Sequence, residues 1–241
     1  MKILKHVAYL LSPFFLIPLI SLADDQGEIQ SNGVVIIYIG ERKTVNQMAF
    51  YPQGGIANRP LLIMAHGNGG SGPKEIEGWI ELAKRHNFTI ACPTFLSGAH
   101  SMHIPDDVPY FKNSLRWIES NLQYDKNNVY MSGVSGGGYA VWYLATTRPD
   151  FFKGLFLQSA NFAGQYYDLD VSKWRDRPIR LIWGSQDLPD IPVQNQQAVD
   201  FLKSEHCKNY STEVIPGGHH GEHRDLVVAW MEQLAAAPYS N

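Results

Sequence analysis

One serine in this 241-residue chain lies between small residues on a predicted sharp turn. Ser135 occupies the centre of Gly133-Val134-Ser135-Gly136-Gly137, a G-x-S-x-G pattern between a predicted strand and a predicted helix. A nucleophile on such a turn takes a strained backbone conformation, and the flanking glycines let the two segments pass closely. The helix N-terminus beneath it favours developing negative charge. The pattern also occurs as an ordinary glycine-rich turn, so its meaning depends on partners elsewhere in the chain.

A serine hydroxyl becomes a nucleophile beside a base, and the base needs a carboxylate to orient it. Asp187 follows the predicted strand 179–183 in a Gly-Ser-Gln-Asp turn that aims the carboxylate toward the sheet edge, and we prefer it to nearby Asp190. His219 and His220 follow the last predicted strand. Adjacent residues point in different directions, so only one of them can face the serine. We predict His219 as the base because it directly follows a glycine pair, with His220 as the alternative.

The third requirement is a pair of main-chain N–H groups that bind the developing oxyanion. We predict that one comes from Gly136, which follows the nucleophile, and the other from Asn68 in the glycine-rich turn 66–70. This chemistry needs no metal and no cofactor, and we predict neither. The other histidines near these segments are expected to be structural or to line the pocket: His66, His100, His103 and His223.

Short apolar runs alternate with amphipathic segments along the chain, which predicts an α/β fold with a mostly parallel, twisted sheet covered by helices on both faces. About eight strands are predicted, at 34–39, 47–51, 61–65, 88–92, 128–132, 154–158, 179–183 and 211–215. The first two have no helix between them and are expected to be antiparallel. Helices are predicted at 74–86, from Asp106 to 121, from the glycine-rich turn to 148, and at 193–206 and 222–236.

Composition and the N-terminus restrict the class of protein. The chain is 44% hydrophobic and 18% charged with a net charge of −3, and it has no basic block after its first residues, so nucleic acid is not a predicted partner.

At the N-terminus, Lys2 and Lys5 precede an apolar stretch, 7–20, and a Ser-Leu-Ala site. This pattern predicts a signal peptide at 1–23 and one domain at 24–241. A membrane anchor is the alternative, but a spanning helix needs about 20 apolar residues. We therefore expect a secreted or periplasmic protein without stable membrane insertion.

Several motifs together resemble the α/β-hydrolase superfamily, and within it secreted feruloyl and acetylxylan esterases and polyhydroxybutyrate depolymerases. They are His66-Gly67-Asn68-Gly69-Gly70, Asp106-Asp107-Val108, the segment from Val129 to Ala140, Arg148-Pro149-Asp150-Phe151-Phe152, and Gly184-Ser185-Gln186-Asp187 with Gly217-Gly218-His219. The resemblance implies the α/β-hydrolase fold with a small cap insertion and a triad of Ser135, Asp187 and His219 that cleaves esters through an acyl-enzyme. Gly136 departs from several depolymerase-like relatives, which carry a larger polar residue there, and the second histidine leaves the base open.

The predicted substrate is a small-molecule or polymer-linked ester. The short cap region 160–177 contains Phe162, Tyr166, Tyr167 and Trp174, which favours an open cleft with aromatic lining for short-chain or aromatic acyl groups; alternatively, these rings pack the cap onto the core. A non-catalytic binding protein on the same fold, or a serine peptidase or thioesterase, is the competing function. Nucleotide binding is not expected, because the G-x-G-x-x-G at 67–72 lacks a downstream acidic partner.

The two cysteines are Cys92 and Cys207. A disulfide between them would suit an exported protein. However, one ends the fourth predicted strand, and the other follows a late helix near the opposite side of the sheet in the usual strand order. We therefore do not expect them to be bridged.

Overall fold

The computed structural model describes residues 27–40, 46–95 and 104–236. Nine strands lie in this part of the chain: β1 Glu28–Ile29, β2 Val35–Tyr38, β3 Gln47–Tyr51, β4 Leu61–Ala65, β5 Thr89–Pro93, β6 Val129–Val134, β7 Gly154–Gln158, β8 Ile179–Gly184 and β9 Tyr210–Ile215. They form one sheet in the order β1-β2-β3-β5-β4-β6-β7-β8-β9. The predicted signal peptide at 1–23, His100 and His103 lie outside the described residues.

The sheet is antiparallel at one end and parallel through the rest. β1, β2, β3 and β5 pair antiparallel in turn, and every later pair from β5–β4 to β8–β9 is parallel. The predicted α/β class, the mostly parallel sheet and the antiparallel start are confirmed. The sheet has nine strands rather than about eight because β1 is two residues long, too short for an alternation pattern to reveal.

Six helices cover the sheet in the described part of the chain: α1 Gly72–Glu77, α2 Ile80–His86, α3 Ile104–Asn121, α4 Gly137–Thr147, α5 Asp190–Ser204 and α6 Arg224–Ala236. The helix predicted at 74–86 is therefore two helices, and Gly78 is the C-cap of the first. Short 3₁₀ turns connect several elements, including two in the cap, Ala163–Gln165 and Ser172–Trp174.

Both faces of the sheet carry an apolar core because strand residues alternate between them. On β4, Leu61 and Ile63 belong to the core under α3, α4 and α5, whereas Leu62 and Met64 belong to the core under α1, α2 and α6. Burial of both faces explains why the strand sequences are continuous apolar runs. The polar turns that form the site begin where these buried strands end.

Cys92 and Cys207 are buried free thiols, as expected. Cys92 lies within β5 and Cys207 follows α5, which is associated with β8 at the far side of the sheet. Burial raises the pKa of both thiols above its ordinary value. In the part of the chain that the structure describes, every helix is too short or too polar to cross a membrane.

Candidate active site

Ser135 lies at a sharp turn between β6 and α4. Its φ of +51° is in the left-handed region, which is strained for a residue with a side chain. A Cβ on Gly133 would stand 2.6 Å from the Gly137 carbonyl oxygen, and one on Gly137 would stand 2.2 Å from the Ala65 oxygen. The G-x-S-x-G spacing is thus required by close backbone contacts, which supports the interpretation as a nucleophile turn over that of an ordinary loop.

Asp187 lies beyond the end of β8, with a side chain fully shielded from solvent. Its Oδ2 accepts hydrogen bonds from Ser159 Oγ at 2.6 Å and from the Gly184 N–H at 3.2 Å, and its Oδ1 accepts one from the Leu188 N–H at 2.8 Å. Burial alone would raise the pKa of this carboxyl, but the donors that surround it, including a histidine, hold the pKa below its ordinary value. Asp187 is therefore an anion at neutral pH.

The histidine that contacts Asp187 is His220 and not His219, which we predicted from the sequence. His220 Nδ1 lies 2.7 Å from Asp187 Oδ1, and its side chain is 25% exposed. His219 is exposed. Adjacent residues face different ways, and the glycines around the pair set the direction: Gly217 and Gly221 have φ values of +68° and +159°. The competing carboxylate, Asp190, begins α5 and accepts from Gln194 Nε2 at 3.1 Å instead.

Ser135 and His220 line the same cavity, which has a volume of about 400 Å³. The turn 67–70, which follows β4, forms another part of its lining. Three strand ends thus meet at one opening, as the parallel order requires. With Nδ1 bonded to the carboxylate, the ring nitrogen left to serve a hydroxyl in the cavity is Nε2.

Asn68 and Gly136, the predicted oxyanion residues, are in contact. A Cβ placed on Gly136 would stand 2.2 Å from Asn68 Oδ1 and 3.3 Å from the Asn68 nitrogen. Neither main-chain N–H donates a hydrogen bond to any other residue that the structure describes. Two unengaged amides therefore lie side by side next to Ser135, and the Asn68 side chain fills the place that a larger residue at position 136 would need.

His66 holds the Asn68 turn in place and takes no part in the cavity lining. Its Nε2 accepts from the Phe95 N–H at 3.0 Å, which leaves the proton on Nδ1, 2.9 Å from the Gly67 carbonyl oxygen. Burial lowers the pKa of His66. The ring is thus neutral and structural, as predicted. His223 is also away from the lining: its main-chain N–H donates to Gln158 Oε1 at 2.6 Å.

The aromatic residues of the cap pack inward or against helix α4 rather than lining the cavity. Phe162 and Trp174 are buried. Tyr166 and Tyr167 lie against Tyr139 and Tyr143, with ring centroids 5.7 and 4.9 Å apart. These rings therefore pack the cap onto the core, and none of the described residues on the lining is aromatic.

Two features of the site were not predicted from the sequence. Ser159, directly after β7, is fully buried with a φ of +44° and donates to Asp187; its main-chain oxygen also accepts from the Ser135 N–H at 3.2 Å. Its place after a strand at the same sheet edge was the available clue. The second feature is a charged wall, defined as Lys74, Glu75, Glu222 and Arg224, on the cavity lining.

Comparison with known proteins points to the same fold. Residues 60–164, which include the Asn68 turn and Ser135, match the family model described as "alpha/beta hydrolase fold". A poly(3-hydroxyalkanoate) depolymerase C of Paucimonas lemoignei is 29% identical over 206 positions, which cover 68% of this chain and 49% of that protein. The chain thus spans about half the length of the curated relative that it matches.

Solved structures share the fold at low sequence identity. A hyperthermophilic esterase from Pyrobaculum calidifontis is 18% identical with a TM-score of 0.63, covering 85% of this chain and 86% of that one. Est1E from Butyrivibrio proteoclasticus is 17% identical with a TM-score of 0.60, covering 83% and 97%. The fluorophosphonate-binding serine hydrolase F of Staphylococcus aureus is 15% identical with a TM-score of 0.58, covering 85% and 96%. The chain has the α/β-hydrolase fold.

Proposed function

We propose that the protein is a serine hydrolase that cleaves carboxylic esters through an acyl-enzyme, with a triad of Ser135, His220 and Asp187. The observation that carries the proposal is the hydrogen bond between His220 Nδ1 and a shielded, ionised Asp187 beside a cavity that also contains the strained Ser135. The depolymerase relative and the esterases of the same fold are consistent with this chemistry.

In the proposed reaction, Ser135 Oγ attacks the ester carbonyl carbon while His220 Nε2 takes the hydroxyl proton. Asp187 holds the imidazole tautomer and stabilises the imidazolium that forms. The amides of Asn68 and Gly136 bind the oxyanion; one such donor is worth about 2.7 to 4 kcal/mol in the transition state. The imidazolium then protonates the leaving alcohol, and water repeats the sequence on the acyl-enzyme.

The size of the cavity supports short acyl groups. A volume of about 400 Å³ is near the lower end of ordinary small-molecule pockets, and among the described residues on its lining Val134 is the one with an apolar side chain. With the alcohol part of the ester in the same cavity, this volume leaves little room for a long acyl chain. We therefore propose short-chain acyl esters, either free or linked to a polymer.

The test is hydrolysis of nitrophenyl acetate together with labelling by a fluorophosphonate. Ser135→Ala should reduce kcat/KM by a factor on the order of 10⁴ to 10⁶ and abolish labelling. Ser204→Ala is the matched control, since its exposed hydroxyl donates to the Phe201 oxygen on α5, away from the cavity. A binding protein without catalysis would not react with the probe. Full esterase activity in Ser135→Ala would overturn the assignment.

We also propose that the chain is exported and that residues 1–23 are removed as a signal peptide. The charged start, the apolar stretch and the small residues before residue 24 support this. Expression of the full chain in a bacterial host, followed by N-terminal sequencing of the protein from the periplasm or medium, should give Asp24 as the first residue. Retention of Met1 in a membrane fraction would indicate an anchor instead.

A further inference from the structure

The charged wall lies within the cavity that contains Ser135, yet the proposed reaction makes no use of it. Its members come from two segments: Lys74 and Glu75 from α1, and Glu222 and Arg224 from the segment after His220 and the start of α6. Lys74 is exposed and Glu75 is buried. A small cavity with two cationic and two acidic side chains is an unusual surface for an ester unless the ester itself is polar.

Two members of the wall, Glu75 and Arg224, are held in place by contacts at the end of α1. Glu75 Oε1 accepts from Trp79 Nε1 at 2.9 Å, and Arg224 lies 5.7 Å from the centre of the Trp79 ring. The Arg224 guanidinium also packs on Gly78, where a Cβ would stand 2.3 Å from it. Because these groups are fixed before any ligand arrives, they can select a ligand at a low entropic cost.

The wall presents donors and acceptors to the cavity. Arg224 Nε and Glu222 Oε2 form an ion pair that is shielded from solvent, but the two side chains as a whole are 35% and 20% exposed and line the cavity. Burial, with Glu222 nearby, raises the pKa of Glu75 to about 7, so this carboxyl is partly protonated at neutral pH. The wall thus offers donors and acceptors together, with nearly balanced charge.

This combination favours a neutral ligand group with hydroxyls. An anionic group would meet the carboxylate of Glu222, and a cationic group would meet Arg224. An alkyl group would leave buried polar atoms unpaired, which is costly. A hydroxyl can donate to a carboxylate and accept from a guanidinium or ammonium at once. His220 must protonate the leaving alcohol, and Glu222 and Arg224 follow it within four positions of the chain and line the same cavity. The alcohol is therefore the part of the ester assigned to the wall.

We propose that the charged wall is a subsite for the alcohol part of the ester, and that this alcohol is an uncharged polyol. The proposal rests on the proposed ester hydrolysis and adds the class of alcohol to it. It distinguishes this site from one that accepts simple alkyl esters equally well.

The test compares 2,3-dihydroxypropyl acetate with propyl acetate. The two esters share the acyl group and a three-carbon alcohol and differ in two hydroxyls. Acetate release is measured by titration, and each rate is divided by the rate of hydroxide-catalysed hydrolysis of the same ester. The wild-type kcat/KM should favour the dihydroxy ester by about tenfold or more. Equal normalised values would overturn the proposal.

Variants of the wall test whether these side chains cause the preference. Glu222→Gln and Arg224→Met should each lower the preference by about threefold or more, with folding checked by thermal unfolding. Lys74→Met is an exposed substitution that avoids the risk of misfolding and should also lower it. Glu77→Gln, an exposed glutamate on α1, is the matched control and should leave the preference intact. Unchanged preference in all three wall variants would contradict the proposal.

Direct binding separates failure of the subsite from failure of the enzyme function. Ser135→Ala, which lacks the nucleophile, is mixed with each ester, and binding is measured by saturation-transfer NMR. Tighter binding of the dihydroxy ester supports the subsite even if the wild type hydrolyses neither ester, in which case the proposed function fails alone. Equal binding overturns the subsite whatever the activity.

Discussion

Two cavities lie at opposite ends of the same central strand, β6, and they are built differently. The first, of about 400 Å³, is beside Ser135, just past the end of the strand; the second, of about 230 Å³, includes Val129, where the strand begins. Both contain charged side chains. At the second cavity, however, Arg148 pairs with Glu119 at 3.5 Å and lies 5.5 Å from the Phe151 ring. Its charges are partly exposed and matched by ordinary surface interactions.

The difference lies mainly in the backbone. Ser135 and Ser159 have positive φ values, and both lie at the first cavity's end of the sheet. Such conformations cost on the order of 1 to 3 kcal/mol each and persist where surrounding structure holds them. None of the residues that line the second cavity has a positive φ. Charge alone in a cavity is therefore weak evidence for a catalytic site, whereas strain combined with a shielded carboxylate and unengaged amides is stronger.

The largest expected effect concerns the two adjacent histidines. His220→Ala should reduce kcat/KM for nitrophenyl acetate by a factor on the order of 10⁴ or more, because it removes the base that Asp187 orients. His219→Ala should change it by less than about threefold, because that side chain is exposed. Steady-state kinetics of the two purified variants make the comparison, and the reverse pattern would restore His219 as the base.

Ser159→Ala should have a smaller effect, of about tenfold in kcat, because Asp187 would lose one of its hydrogen-bond donors and with it some control over the His220 ring. The stability change should depend on pH. The pKa of Asp187 is held below its ordinary value, so the ionised carboxylate contributes stability above that value and loses it as pH falls through the folded-state pKa.

Ser159→Ala should therefore be destabilised more at pH 7 than near pH 3. Urea unfolding of the variant and the wild type across this range measures the difference. Ser204→Ala again serves as the control, since its hydroxyl donates to the Phe201 oxygen within α5. A destabilisation that is equal at every pH would indicate that Ser159 contributes packing alone and does not hold the carboxylate.

Most of the fold and part of the site could be predicted from the sequence, because they depend on local rules. Strands β3, β4 and β7 have the predicted bounds, since apolar runs between turn residues define them. The Ser135 turn was predictable for a similar reason: close contacts there leave no room for a Cβ on either flanking glycine.

The remainder depends on contacts between distant segments. Whether His219 or His220 faces Asp187 is set by the φ values of neighbouring glycines, which can adopt either sign. Ser159 reaches Asp187 across 28 positions of the chain, and no spacing rule links them. The inward packing of Trp174 and Phe162 likewise depends on how the cap folds over the helices.

Glu75→Gln should increase stability at neutral and alkaline pH. Burial raises the pKa of Glu75 from its ordinary value to about 7, so the folded protein binds a proton that the unfolded chain releases between about pH 4.5 and 7. Stability from this group is present below pH 4.5 and falls as pH rises to 7. Glutamine removes that loss, so the gain over wild type should grow across this interval to on the order of 2 kcal/mol. Glu77→Gln, at an exposed glutamate on the same helix, is the matched control and should change stability by less than about 0.5 kcal/mol.

The smallest effect is expected at the second cavity. Glu119 and Arg148 form an ion pair whose side chains are 39% and 32% exposed, and pairs of this kind contribute about 0 to 1 kcal/mol. Glu119→Gln should therefore lower stability by less than about 1 kcal/mol and leave kcat/KM within twofold of wild type. Salt should reduce even this difference, because it screens exposed charges. A tenfold loss of activity in Glu119→Gln would show that the two ends of β6 are coupled, and it would remove the contrast drawn between the two cavities.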